Sequence, residues 1–178
     1  MKNSIGARTA RILVGPSLIA AVGAVAPTQA HADGGLVAWD RDKVYVVDHT
    51  SSRWPVRSVA ERVDNHSPLN LVRTKRCPKG AQCIHVRIGS LPDEQWGLTS
   101  VAWDVNSKDI VEADITLNPK VGKSLTLRQR KATICHELMH AVGVLDHRHT
   151  EKSCLYDNLF YAKPSPDKKD YATLRRMY

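Results

Sequence analysis

The chain has 178 residues, with 26 Lys and Arg against 18 Asp and Glu, and a formal net charge of +8. That length is enough for one domain with a real core. The positive charge suits anionic surfaces such as cell walls. It is not gathered into a Lys/Arg block interleaved with aromatics, so nothing points to nucleic acid.

The first segment reads as a leader rather than as part of the fold. Lys2, Arg8 and Arg11 make a basic start, residues 12–26 are apolar, and Ala30-His31-Ala32 places small residues ahead of Asp33. That order predicts a secretory signal peptide over residues 1–32, cleaved after Ala32. A membrane anchor is the alternative, but the run is about 15 residues where ~20 are needed to span. Gly15 and Pro16 also interrupt it. The expected product is a secreted single domain, residues 33–178, with no membrane association and monomeric by default. Loss of the leader's three basic residues lowers the net charge from +8 to +5.

Within residues 33–178 the elements follow in order. Residues 43–47 (KVYVV) form a β-rich run. Over 54–63, Trp54, Val56, Val59, Ala60 and Val63 recur at helical spacing, with Pro55 in the first turn. Residues 70–73 and Cys83–Ile88 read as strands on either side of a short loop bounded by Cys77 and Cys83. Residues 101–105 and Ile110–Leu117 read as two more, separated by a turn at 106–109.

The period then changes. Residues 125–142 predict a long helix with Ile134, Leu138, Ala141 and Val142 on its apolar side, ended by Gly143. An irregular segment follows to Pro164. Ser165-Pro166-Asp167 then supplies a cap, a first-turn proline and an acid for a last helix ending near Met177. The expected class is α+β: a small twisted mixed sheet, backing helices, a metal-bearing helix and a C-terminal helix. All four cysteines lie after the leader, and an even count in a secreted chain reads as disulfides. Cys77 and Cys83 close a tight loop, which leaves Cys135 for Cys154.

The chemistry lies in CHELMHAVGVLDHRH, residues 135–149. His136 and His140 are four apart on the long helix, so both imidazoles face one way and can share a metal. Glu137 between them can act as general base on a water activated by zinc, which also polarises a carbonyl. Gly143 lets the chain turn back with a third ligand. Asp146, three past the glycine, is the expected one. His147, reached through a one-residue bulge, and His149 are the alternatives. The ligand set expected is therefore Zn2+ on His136, His140 and Asp146. Tyr156 and Tyr161 could stabilise an oxyanion, though core or surface packing is the commoner use of such tyrosines. His49, His66 and His85 have no partner spacing and read as structural or solvated.

These residues resemble the metzincin zinc peptidases. HELMHAVG is similar to the metal helix of the astacin and matrixin branches. The Asp146-His147 pair after GVL resembles snapalysin, a small secreted bacterial metzincin with an aspartate ligand. CHELMHAVG followed by SCLY resembles small bacterial matrixin-like proteins that bracket the site with two cysteines. Asp114-Ile115-Thr116-Leu117-Asn118 resembles the strand that precedes the metal helix in these families. The resemblance implies an endopeptidase acting on a protein or peptide held extended along the sheet edge. Two features depart from the pattern. Leu155 stands where the family's turn methionine is expected, and Arg76-Cys77-Pro78 does not match a matrixin cysteine switch.

Overall fold

The structure is a computed structural model that describes residues 9–14, 36–51 and 53–178. Most of the expected leader, including Ala30-His31-Ala32 and the cleavage point, lies outside the described residues. The exception is strand β1, Thr9–Val14.

The rest runs β2 (Lys43–Asp48), α1 (Val56–Asp64), β3 (Asn70–Thr74), β4 (Cys83–Ile88), β5 (Gly97–Asp104), β6 (Ile110–Leu117), α2 (Pro119–Gly122), α3 (Leu127–Ala141) and α4 (Lys168–Met177). The class is α+β with a six-stranded mixed sheet, ordered β1-β5-β6-β4-β2-β3. β3, β2, β4 and β6 pair parallel to one another, whereas β5 is antiparallel to both β6 and β1.

Alternation along the strands sets the core. Val44 and Val46, Ile84 and Val86, and Ala113, Ile115 and Leu117 are each buried at every second position, as a half-covered strand requires. α1 adds Val56, Val59, Ala60 and Val63 on one stripe. α3 packs against β5, β6 and α1. Ten consecutive residues of α3, Ala132 to Ala141, are buried. This second half of the central helix is thus enclosed all round, and its polar side chains must find partners inside the protein.

The ends of α3 are fixed by side chains. Thr126 caps the start in a capping box with Gln129. At the other end the Trp39 indole donates to the Ala141 carbonyl at 3.1 Å, and the Tyr178 hydroxyl donates to that of Val142 at 3.0 Å. Gly143 then turns the chain with φ +89°. A Cβ there would lie 2.0 Å from the Val37 carbonyl oxygen, so only glycine fits.

Both disulfides have the expected pairing, Cys77–Cys83 and Cys135–Cys154. No described helix is long and apolar enough to cross a membrane. Apart from shifts of one or two residues at element ends, three features differ from expectation. β5 begins at Gly97, four residues before residue 101. The short helix α2 follows β6, started by Asn118, whose side chain accepts from the Lys120 N–H. The last helix is capped by Asp167 rather than Ser165. The Asp167 carboxylate accepts from the N–H groups of Lys169 and Asp170, the contacts of a cap, and Ser165 lies two residues before it.

Candidate metal centre

His136 and His140 lie in the enclosed half of α3, both fully buried. The chain reverses at Gly143 and returns as an extended segment. The His140 Nδ1–H donates to the Val144 carbonyl at 2.8 Å, anchoring the start of that segment. The third residue brought to the pair is His147. Its Nε2 stands 3.2 Å from the Nε2 of His136 and 3.2 Å from that of His140. The ligand atoms of these three residues lie within 4.8 Å of one another, so the group could hold a metal ion.

This differs from the expected ligand set at one position. Asp146 is exposed and stands outside the group, whereas His147 is half-buried within it. The cause is the parity of an extended chain, in which adjacent side chains point to opposite sides. Only one of the two can therefore face the pair, and it is His147, while Asp146 faces water. His149 is also outside the group, its side chain 95% exposed. Tyr161 is exposed and Tyr156 packs against the edge of the core. His49, just past the end of β2, and His85, on β4, face each other at 3.2 Å, a pairing that their spacing did not suggest.

The hydrogen bonds settle which imidazole nitrogens carry protons. The His136 Nδ1–H donates to the Cys154 carbonyl at 2.9 Å and that of His140 to Val144, because a carbonyl can only accept. Both Nε2 atoms are therefore bare acceptors. Two lone pairs aimed at a third nitrogen in a buried space repel one another unless a cation lies between them. Nitrogen ligands at about 2.0–2.1 Å from a tetrahedral ion would be about 3.3 Å apart, close to the spacing here. The donor set thus fits a divalent metal.

Burial holds these rings neutral, the form that binds metal. It lowers the pKa of His136 to about 3, helped by the charge of His147. That of His140 lies well below the ordinary value for the same first reason, with His136 and His147 adding to the effect. His147 is also lowered by burial, against the pull of the Asp157 and Asp146 carboxylates.

Glu137 is fully buried and points toward β5. The Thr99 hydroxyl reaches its Oε2 at 2.7 Å and its backbone carbonyl at 3.0 Å. Burial pushes the carboxyl up to about 8, and the bond from Thr99 pulls the other way. Gly97 makes room for it: a Cβ there would sit 2.7 Å from Glu137 Cγ and 2.8 Å from Oε1. Glu137 Oε1 is buried and has no hydrogen-bond partner among the described residues. A buried carboxylate oxygen on the residue that follows His136 thus needs a partner that the described residues do not supply.

Below the histidines, the disulfide ties Cys135, next to His136, to Cys154, whose carbonyl orients the His136 ring. Leu155 is fully buried in the same turn. Sequence reasoning missed four residues that support the site: Gly97, Thr99, Asp157 and Asp170. Asp157 places Oδ1 3.3 Å from His147 Nδ1 and Oδ2 3.4 Å from His149 Nδ1. Asp170 is fully buried and pairs with Arg148 Nε at 2.6 Å. The one available signal was Asp157 itself, a carboxylate close after the histidine-rich segment. No family model and no curated protein sequence matches the chain.

Proposed function

We propose that the chain is a secreted zinc-dependent endopeptidase of the metzincin type, with His136, His140 and His147 as ligands and Glu137 as general base. The observation that carries this reading is the position of Glu137. It follows a ligand histidine in the chain, and its carboxylate is buried, held by Thr99 through one oxygen and unpartnered at the other among the described residues. A purely structural metal site has no use for such a group. Three imidazoles with a fourth position open suit zinc, which when bound supplies Lewis acidity to a water and a carbonyl.

The protein's own part in the reaction follows from the contacts. Glu137 Oε1 takes a proton from the attacking water and delivers it to the leaving amine. A carboxylate whose pKa is raised by burial is a stronger base than an ordinary, more acidic one, so it takes up and holds that proton more firmly. Thr99 keeps Oε2 in place, so the proton-carrying oxygen is Oε1. β5 carries both Gly97 and Thr99 beside Glu137, which supports a substrate extended along that strand. β1 occupies the outer side of β5 in register from Thr9 opposite Asp104 to Val14 opposite Thr99. Removal of the leader would free that edge. Leu155 replaces the family's methionine with little change in volume, which keeps the turn beneath the metal packed.

The test is cleavage of unfolded casein by residues 33–178, wild type beside Glu137→Ala, with zinc measured on both. The expected result is zinc in both and a loss of about 10²–10⁴-fold in rate for the variant. A variant as active as wild type would remove the assigned base. Zinc in both with cleavage by neither would favour a catalytically silent zinc protein. Release of peptide from cell-wall material but not from casein would favour an amidase, a reading consistent with the basic charge.

A further inference from the structure

All three histidines present Nε2 to the same point, and each has an oxygen close to Nδ1, hydrogen-bonded for His136 and His140 and at ion-pair distance for His147. For His136 and His140 that oxygen is a backbone carbonyl, on Cys154 and Val144. For His147 it is a carboxylate, Asp157 Oδ1 at 3.3 Å. We propose that Asp157 is the positioning residue that makes His147, rather than the adjacent Asp146, the third metal ligand. The inference rests on the three-histidine reading of the site and adds what orients its third member.

The physical need is specific to this position. His136 and His140 are built on a buried helix, where packing and a nearby carbonyl leave each ring one orientation. His147 stands on an extended segment that shows part of its side chain, 27%, to solvent. Without a partner at Nδ1 its ring could take either tautomer and rotate outward. A carboxylate at Nδ1 places the proton there, leaves Nε2 bare, and makes the ring a better electron donor to a cation. It also puts a negative charge within reach of a site whose three ligands are neutral. Asp146 would bring a charge directly, but it faces away. Asp157 supplies one from behind the ring instead, and its second oxygen is at 3.4 Å from His149 Nδ1. Asp157 thus spans two histidines that flank Arg148, which is itself fixed by Asp170.

The experiment measures zinc affinity by chelator competition on the full chain carrying Asp157→Ala, Asp157→Asn, Asp146→Ala or His147→Ala. Co2+ absorption serves as a probe of coordination, and the melting temperature of each metal-free protein as a control. Asp157→Ala is expected to weaken zinc by about 10–100-fold, the usual cost of losing a partner of a ligand histidine. Asp157→Asn retains an oxygen for Nδ1–H, so it should recover part of that loss. Asp146→Ala should stay within about twofold of wild type, as expected for a solvated side chain. The metal-free melting temperatures of the Asp157 variants should match wild type. Unchanged zinc affinity in Asp157→Ala, with His147→Ala weakened, would overturn the positioning role and leave the three-histidine site intact. Unchanged affinity and Co2+ spectrum in His147→Ala would overturn both. Because the readout is metal affinity, it is independent of whether casein is cleaved.

Discussion

Asp170 is the residue whose removal should cost the fold most for its size. It is fully buried, and three groups from different parts of the chain converge on its carboxylate. Arg148 Nε donates to Oδ1 at 2.6 Å, while the Ser153 hydroxyl and the Asp167 N–H donate to Oδ2 at 2.5 and 2.8 Å. Ser153 Oγ in turn accepts the Leu155 N–H at 2.9 Å. One carboxylate therefore joins the cap of α4, the turn beneath the histidines and the residue that follows His147. In Asp170→Ala the Ser153 hydroxyl and the Arg148 guanidinium lose their acceptor. Breaking a fully buried ion pair costs about 3–5 kcal/mol, and a stranded buried hydrogen-bonding group about 1–3 kcal/mol. The Arg148 side chain is 23% exposed and can turn to water, which puts the pair at the lower end. The sum expected is about 4 kcal/mol, or a fall in melting temperature of about 12 °C for a domain of this size. Asp170→Asn keeps one acceptor oxygen and should lose about half as much. Urea unfolding of the metal-free protein at neutral pH measures both. A loss below about 1 kcal/mol in Asp170→Ala would refute the reasoning, since it would mean that these three donors find water or other partners without strain.

Two further outcomes follow from the same region. Replacing Cys135 and Cys154 together by alanine opens a loop with sequence separation 19, worth about 3 kcal/mol in the chain-entropy model. Because Cys154 also supplies the carbonyl to His136, zinc affinity should fall with stability, and an unchanged affinity in chelator competition would argue that the turn holds its place without the bond. The metal-free protein should also lose stability on acidification below pH 6.5. His136 has its pKa depressed from 6.5 to about 3, so over that window the unfolded chain takes up a proton that the folded one refuses. Each such histidine subtracts about 1.4 kcal/mol per pH unit, and His140 acts in the same direction. Glu137 opposes them: its pKa is raised from 4.5 to about 8, so its contribution is present at low pH and lost as pH rises through 8. It offsets one histidine between pH 6.5 and 4.5, and the other, His140, lowered in the same direction as His136, leaves the net sign a loss of stability over that window. Urea midpoints of the chelated protein that stay level or rise between pH 6.5 and 4.5 would contradict this sign.

The parts of the fold that were legible in the sequence are those whose residues face the apolar core. The stripe of Val56, Val59, Ala60 and Val63 marked α1, and the alternation in Cys83–Ile88 and Ile110–Leu117 marked β4 and β6. The beginning of β5 was not legible for the same reason reversed. Its inward positions there are Gly97 and Thr99, which face Glu137 instead of hydrocarbon, so the segment shows no apolar alternation until Val101. The strand looked like a loop because it is built around the site. Asn118 was hidden similarly. It is buried, and its amide donates to the carbonyls of Pro92 and Gln95, holding the approach to β5. No periodicity rewards a buried polar residue, so only the fold reveals its partners.

The site divides along the same line. His136, Glu137 and His140 share a helix, where spacing dictates direction, and their placement was legible from the sequence. The third ligand position lies beyond a reversal, and there spacing alone cannot choose between neighbours. Counting from Gly143 leads to Asp146. The path actually taken depends on contacts that lie far off in sequence: Val37 against Gly143, Trp39 and Tyr178 on the last carbonyls of α3, and Leu155 accepting the Arg148 N–H at 2.9 Å. That last bond holds Arg148 on the turn beneath the histidines, so the residues on either side of it, His147 and His149, both project the other way, toward Asp157. His147 is then the only one of the pair close enough to meet His136 and His140. A one-residue change in register at Gly143 would exchange the positions of Asp146 and His147, which is why the turn and its distant supports, rather than the side chain's own chemistry, decide which of the two meets His136 and His140.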